Sequence, residues 1–346
     1  MKKIRVAVNG FGRIGRAFVK LATEQDIIEV VAINDLGDIE NFAYLLKYDT
    51  AYGKSGLNVS IKENNENAVL VVNGKEIIFL SEKNPADLPW KDLNIDVVLE
   101  ATGFFTEFAK AKLHLDAGAS RVVISAPGKG DAVPSVSSAT VLMGINEESL
   151  EFCQISSNAS CTTNASSPVI QILNESVGVE KALLNTVHGY TSTQKLVDSP
   201  DPKNWRRGRA AAQNIIPSTT GAAKTVTKVI TDLEGKFDGI ALRVPVITGS
   251  VADITFIAKR DTSVEEINDI LQKAANKERW KDILTVAKDH IVSSDIVGNK
   301  YAAIIDLDFT RVVGGNLVKV LSWYDNEIGY THTLIKHIQK ISEYLP

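Results

Sequence analysis

Residues 2–35 read KKIRVAVNGFGRIGRAFVKLATEQDIIEVVAIND, and this stretch decides the fold. An apolar run over 2–9 has the look of a buried strand. Gly10, Gly12 and Gly15 follow in the spacing G-x-G-x-x-G, a helical pattern continues to about Thr23, and a second strand is predicted over 27–34. Glycines at this junction permit a tight turn and a close backbone approach, and a helix N-terminus offers free N–H groups and a positive dipole to a pyrophosphate. An acid is expected near the end of the second strand, about 20 residues on, to take a ribose hydroxyl. Asp35 stands there. Phe11, Arg13 and Ile14 fill the turn, and Arg13 is a candidate partner for the pyrophosphate. A carboxylate at Asp35 favours NAD, because it repels the extra phosphate of NADP.

Outward from this unit, β-branched runs at 69–72, 77–80, 96–102 and 121–126 predict further strands, and 106–117 carries a helical pattern. Alternating strand and helix imply a parallel, doubly wound sheet. The segment 58–80 has no helix between its strands and reads as an antiparallel excursion at the sheet edge. After about Asn158 the pattern changes. A helix is expected over 162–177, strands at 181–188, 237–248, 251–260 and 301–309, and helices at about 209–231 and 263–276. The final helix, 326–345, is expected to pack back on the first domain. The fold class is therefore α/β: a Rossmann-type dinucleotide-binding domain, 1–159 with 326–346, plus an α+β catalytic domain, 160–325, with a largely antiparallel sheet.

Composition narrows the function. The chain has 346 residues, 44% hydrophobic and 23% charged, which is ordinary for a globular protein of about two domains. A net charge of −4 argues against nucleic acid as the primary partner. The N-terminal residues lack the apolar stretch of a signal peptide, and no run of about 18 apolar residues suggests a membrane span. Two cysteines suit a reducing, cytoplasmic setting, and with five scattered histidines they make no zinc spacing.

Of the two, Cys153 lies in a strand-like pattern and reads as core. Cys161 lies in ASCTTN (159–164), just ahead of an apolar-periodic stretch, so it is expected at a helix N-terminus. That position lowers a thiol pKa, and the flanking hydroxyls make a polar pocket. A thiolate needs a base beside it. His188 ends the strand LLNTV, where a polar loop begins, and is the candidate. A cysteine beside a nicotinamide cofactor points to aldehyde oxidation: thiolate addition gives a hemithioacetal that releases hydride and leaves a thioester.

These residues together resemble the glyceraldehyde-3-phosphate dehydrogenases over essentially the whole chain. The matching stretches are VNGFGRIGR (8–16), IND (33–35), ISAPGKG (124–130), ASCTTN (159–164), HGYTSTQ (188–194), RAAAQNIIPSTTGAAK (209–224), LRVPV (242–246) and KVLSWYDNE (319–327). The resemblance implies NAD-dependent, phosphorylating oxidation of D-glyceraldehyde 3-phosphate with inorganic phosphate, with Cys161 as nucleophile and His188 as base and then acid. It implies two phosphate sites, for which Ser160, Thr162, Thr191, Thr193, Arg206, Thr220, Gly221 and Arg243 are the candidates. Arg243 is read as lying between strands, and Arg207 and Arg209 as structural. Asn326 is expected to fix the nicotinamide amide, with Ser125 and Lys83 also near the cofactor. The loop 189–209 matches one that lines a neighbouring subunit's cofactor pocket in a homotetramer. Ala165 replaces a second cysteine usual in the family, and Ile328 replaces a tryptophan. Three other readings fit less well. An erythrose 4-phosphate enzyme is disfavoured by the intact STTG (218–221), and an NADP-preferring form by Asp35. An RNA- or surface-binding role is disfavoured by the acidic balance.

Overall fold

A computed structural model describes residues 3–63, 68–130, 133–202 and 204–345; Lys2, at the start of the expected first strand, lies outside them. The chain forms two compact units, Met1–Ala159 with Thr331–Pro346, and Ser160–Tyr330.

In the first unit β1 (Ile4–Asn9), α1 (Arg13–Ala22) and β2 (Ile28–Asn34) make the opening strand–helix–strand. Helix α2 (Ile39–Lys47), which the sequence pattern did not suggest, starts on an Asp38 cap whose side chain accepts from Asn41 N–H. A short hairpin, β3 (Tyr48–Asp49) with β4 (Gly53–Lys54), precedes β5 (Val59–Glu63), β6 (Ala68–Val72) and β7 (Lys75–Leu80). Then come β8 (Val97–Glu100), α3 (Phe108–Asp116), β9 (Arg121–Ile124), β10 (Ser138–Thr140) and β11 (Ile155–Ser157). The sheet order is β10-β11-β9-β8-β1-β2-β7-β6-β5. All pairs are parallel except β5–β6 and β6–β7, which are the antiparallel edge expected over 58–80. Chain order reverses at β1, flanked by β2 and β8, so the crevice at the carboxyl ends of these strands is where a ligand is expected. Val6, Val8, Val98 and Leu99 are wholly buried, as both faces of a parallel sheet require.

The second unit opens with α4 (Cys161–Ser176) and β12 (Val179–Gly189), then β13 (Ile216–Thr219) and α5 (Ala222–Val229). The expected helix over 209–231 is thus only its last third. Pro217 lacks the N–H a helix interior needs, and β-branched Ile215 and Ile216 favour strand. Strands β14 (Phe237–Val244) and β15 (Ser250–Ala258), α6 (Val264–Ala275), β16 (Leu284–Val286), β17 (Ala303–Val313) and β18 (Leu317–Tyr324) complete it, before α7 (Ile328–Ile341). The sheet order is β13-β14-β12-β15-β18-β17-β16. It is mostly antiparallel, but β12 pairs with β14, and β16 with β17, in parallel. The first of these exceptions places the active site.

Candidate active site

Parallel pairing of β12 with β14 sets His188 directly opposite Arg243, although 55 residues separate them. Arg243 therefore sits within a strand and not between strands. Cys161 reaches the same point from α4. Its backbone is aimed by Ala159, held at φ +57°, a left-handed conformation uncommon for a residue with a Cβ. Ala159 N–H donates to Ser157 Oγ at 3.1 Å. Ser160 then caps the helix, its Oγ accepting from Thr163 N–H at 3.1 Å. Cys161 is the first helical residue, and its Sγ lies 3.4 Å from His188 Nε2.

Helix position alone predicts a lowered thiol pKa. Burial reverses this and pushes Cys161 up, against the downward pull of Arg243 and of hydrogen bonds from Thr162. Burial, and then the Arg243 guanidinium, hold His188 at about 3, with the Gly189 carbonyl acting upward. Both shifts favour the uncharged forms, thiol beside imidazole. His188 Nδ1 lies 2.7 Å from Gly189 O and 2.8 Å from an Arg243 nitrogen, which itself donates to Gly189 O at 3.1 Å. These contacts make opposite demands. A proton on Nδ1 suits the carbonyl and leaves Nε2 free to take the thiol proton; a bare Nδ1 suits the guanidinium and puts the proton on Nε2.

Tyr324, at the end of β18, was not singled out by its sequence context. Its hydroxyl bonds Thr162 Oγ1 at 2.8 Å and Thr186 Oγ1 at 2.7 Å, and its ring meets His188 edge-to-face at 5.9 Å. Thr162 is buried and committed to Tyr324, so its hydroxyl braces the site and is not turned to a ligand. Burial raises the Tyr324 pKa further.

The expected anion-binding residues divide. Thr191 and Thr193 follow β12 and bond each other at 2.9 Å. Thr220 Oγ1 accepts from Ala222 N–H at 3.2 Å, and Gly221 begins α5 without a side-chain cap, which leaves backbone donors at that end. Arg206 is exposed and lines a separate surface pocket with Trp205, Pro217 and Ile240. Its neighbour Arg207 is half-buried; burial lowers the Arg243 pKa, Cys161 and Tyr324 act upward, and the like charge of Arg207 adds a smaller downward pull. The Arg207 guanidinium is held by two bonds to Ser218 Oγ, at 3.0 and 2.8 Å. The two side chains diverge because residues 205–208 form a single 3-10 turn, in which successive residues face different directions. In the same unit, buried Asn326 accepts through Oδ1 from Gly249 N–H at 3.2 Å and Ser250 Oγ at 2.8 Å. A backbone donor there fixes which amide atom points inward, and leaves Nδ2 as the group presented outward.

In the first unit a cavity of about 500 Å³ lies at the sheet's switch point, lined by Gly10, Gly12, Asp35, Lys83, Thr102 and Phe104 among others. The three glycines do different work. Gly10 has φ +98°, and a Cβ there would lie 2.6 Å from the Ala101 and Thr102 backbone; one at Gly15 would lie 2.1 Å from Gly10 O. A Cβ at Gly12 would meet nothing within 4 Å, so that glycine keeps space clear for a ligand. Helix α1 has no side-chain cap, and its N–H groups face the same end. Asp35 accepts from Phe11 N–H at 2.7 Å and Gly37 N–H at 3.0 Å, which fixes its carboxylate at the cavity wall. These features fit a dinucleotide. Phe11 is fully buried against Phe42, with its N–H given to Asp35 and its carbonyl accepting from Arg16; Ile14 is half-buried, and neither residue is among those lining the cavity. The Arg13 guanidinium pairs with Asp49 at 2.5 Å and lies over Tyr52, so its side chain is committed there and not to a pyrophosphate. Ser125 follows β9, with its N–H donated to Glu100 O, and is not among the cavity-lining residues.

Among the described residues no cluster of three His, Cys, Asp or Glu is placed to hold a metal, and no helix is long and apolar enough to cross a membrane.

Comparison with known proteins agrees with this chemistry. The family model for the glyceraldehyde 3-phosphate dehydrogenase NAD binding domain matches residues 4–108, and that for the C-terminal domain matches residues 160–326. The glyceraldehyde-3-phosphate dehydrogenase of Streptomyces coelicolor is 47% identical over 335 residues, 96% of each chain. Those of Clostridium pasteurianum and Geobacillus stearothermophilus are 45% and 44% identical, over 97% and 96% of each chain. The chain therefore belongs to the glyceraldehyde-3-phosphate dehydrogenase family, NAD-dependent oxidoreductases with a Rossmann-type domain and a catalytic domain.

Proposed function

We propose that this chain oxidises D-glyceraldehyde 3-phosphate to 1,3-bisphosphoglycerate with inorganic phosphate, in glycolysis and gluconeogenesis, through covalent chemistry at Cys161. The observation that carries this reading is Cys161 Sγ at 3.4 Å from His188 Nε2, with Arg243 opposite His188 in the strand register.

His188, with its Nδ1 proton on the Gly189 carbonyl, takes the thiol proton at Nε2 while sulfur attacks the aldehyde carbon. The developing oxyanion is held by the Cys161 N–H at the start of α4 and by the protonated Nε2, and becomes the hemithioacetal hydroxyl. His188, deprotonated again, accepts that hydroxyl proton as the carbon loses hydride, leaving a thioester on Cys161. NAD, when bound, supplies the acceptor for the hydride. A phosphate oxygen then attacks the thioester carbon, the thiolate leaves, and protonated His188 stabilises it. Tyr324 keeps the imidazole in line throughout. Arg243 and Arg207 are suited to the phosphate of the substrate, with Thr191 and Thr193; Ser160, Thr220 and Gly221 are suited to the attacking phosphate. The first-unit cavity is suited to NAD, with Asp35 for the ribose and Lys83 at the rim; in the second unit, Asn326 is suited to the nicotinamide amide.

A homotetramer is part of this reading. Leu183 and Ile240 are exposed on neighbouring strands β12 and β14, and Leu196, Val197 and Trp205 are exposed on the 189–209 segment, an apolar surface that association would cover. Light scattering should find four copies of the 37.6-kDa chain. Two free cysteines suit a cytoplasmic location.

The deciding assay follows reduced-cofactor absorbance with glyceraldehyde 3-phosphate, phosphate and either NAD or NADP. NADH formation that requires phosphate and disappears in C161A is expected. Phosphorylating activity retained by C161A would refute the mechanism.

A further inference from the structure

A buried carboxylate lies behind the nucleotide cavity. Glu100, at the carboxyl end of β8, is 1% exposed. Its Oε2 accepts from Asn9 Nδ2 at 2.6 Å and from His114 Nε2 at 3.1 Å. Its Oε1 accepts from Thr102 N–H at 2.8 Å and from the Thr102 hydroxyl. That hydroxyl itself accepts from Phe104 N–H at 3.0 Å, so its own hydrogen is directed at Glu100.

The state of His114 follows from Trp90. Trp90 Nε1–H can only donate, and it lies 3.0 Å from His114 Nδ1. Nδ1 is therefore bare, Nε2 carries the proton, and the wholly buried imidazole is neutral. Four donors and no acceptor converge on Glu100, the pattern of a carboxylate. Among the described residues no Lys or Arg pairs with it. Its charge is satisfied by dipoles alone, and dipoles do not cancel a net charge at a distance.

This charge is wired to the cavity walls. Asn9 Oδ1 accepts from Asn34 Nδ2 at 2.7 Å, and Asn34 clamps the Glu82 backbone through both its amide atoms, at 2.9 and 2.8 Å. Asn9, Asn34, Glu82, Lys83 and Thr102 all line the cavity. A dinucleotide in a fold of this order lies across the switch point, with one half towards β2, where Asp35 stands, and the other towards β8. Oxidised and reduced nicotinamide differ by one positive charge, on the half away from Asp35.

We propose that Glu100 is a positioning residue whose buried negative charge biases the cavity towards the oxidised over the reduced cofactor, acting on the ratio of the two affinities. The proposal rests on the reading that this cavity holds the dinucleotide.

The test is calorimetric binding of NAD and of NADH to the full-length protein and to the E100Q, E100D and G12V variants, with a thermal midpoint for each. E100Q is expected to lower the ratio of NAD to NADH affinity about tenfold, on the order of 1.4 kcal/mol. E100D, which keeps the charge, should keep the wild-type ratio of the two affinities. Equal weakening of both ligands by E100Q, or an unchanged ratio, would overturn the proposal, since a purely structural role predicts one or the other. If E100Q does not fold, the double variant E100Q/H114Q replaces it, because the second amide oxygen can accept from the first amide nitrogen. G12V tests the cavity itself: a side chain there meets open space in the protein but fills the site, so both ligands should be lost. Undiminished binding by G12V would refute the cavity reading. Loss of binding in G12V with an unchanged ratio in E100Q would remove only the role given to Glu100.

Discussion

His337 should make the first unit sensitive to acid. It lies on α7, wholly buried, with Nδ1 3.1 Å from Asn158 Oδ1 and Nε2 2.8 Å from Ser156 Oγ. The carbonyl oxygen of Asn158 can only accept, so Nδ1 carries the proton and Nε2 accepts from the serine. Both nitrogens are satisfied only in the neutral ring, and burial holds the pKa at about 3. An unfolded histidine titrates near 6.5. Between these values the unfolded chain binds a proton that the folded chain refuses. The contribution is fully present above about pH 6.5 and is lost as pH falls, by about 1.4 kcal/mol per unit. By pH 4.5 the loss is about 2.7 kcal/mol from this residue alone. His337→Gln removes the titration at the cost of some packing. Urea unfolding of wild type and variant at pH 7.5 and 4.5 should show the wild-type advantage shrink by about 2.7 kcal/mol at the lower pH. Contributions from all other groups, His188 included, cancel in that difference. A gap of the same size at both pH values would show that His337 is not buried neutral and would refute the reasoning.

Other substitutions separate the remaining roles. Arg207→Ala should raise the KM for glyceraldehyde 3-phosphate by about 10- to 100-fold, the scale of a lost charged hydrogen bond, while Arg206→Ala stays within about twofold; the reverse ranking would return the phosphate role to Arg206. Asp35→Ala should narrow the preference for NAD over NADP by about tenfold in kcat/KM, and an unchanged ratio would place discrimination elsewhere. Tyr324→Phe strands the Thr162 and Thr186 hydroxyls and should cost about 1–2 kcal/mol in urea unfolding. It should also slow alkylation of Cys161 by iodoacetamide near neutral pH; an unchanged alkylation rate would remove its positioning of His188.

The fold class was legible in the sequence because local patterns carry it. The glycine turn, the β-branched runs and the helical period each depend on residues close together in the chain. Errors arose where the environment decided. Residues 209–215 are helix formers by composition, yet Pro217 and the edge position of β13 take them out of a helix. The parallel pairing of β12 with β14 was invisible, because both strands have the same alternation in either direction; with it went the registration of His188 against Arg243. Arg206 and Arg207 both lie in a basic run, and only the 3-10 turn separates exposed Arg206 from Arg207, whose guanidinium is held by Ser218. Tyr324 looked like an ordinary strand aromatic, since nothing nearby in sequence announces Thr162 and Thr186. At Cys161 the same division holds: helix position is local and readable, whereas burial, which pushes the thiol pKa up, is the sum of everything that surrounds the sulfur.

The return of residues 331–345 to the first unit has a consequence for the order in which the protein can be made. Leu334, Ile335, Ile338 and Ile341 are buried, and His337 bonds β11 and the residue just beyond it. On a ribosome, residues 160–330 emerge before these do. The second unit can therefore close its core while the first, although synthesised earlier, still lacks one wall. Nucleotide-binding competence should be the last property a nascent chain acquires, and until then it is the older part of the polypeptide that presents apolar surface to chaperones.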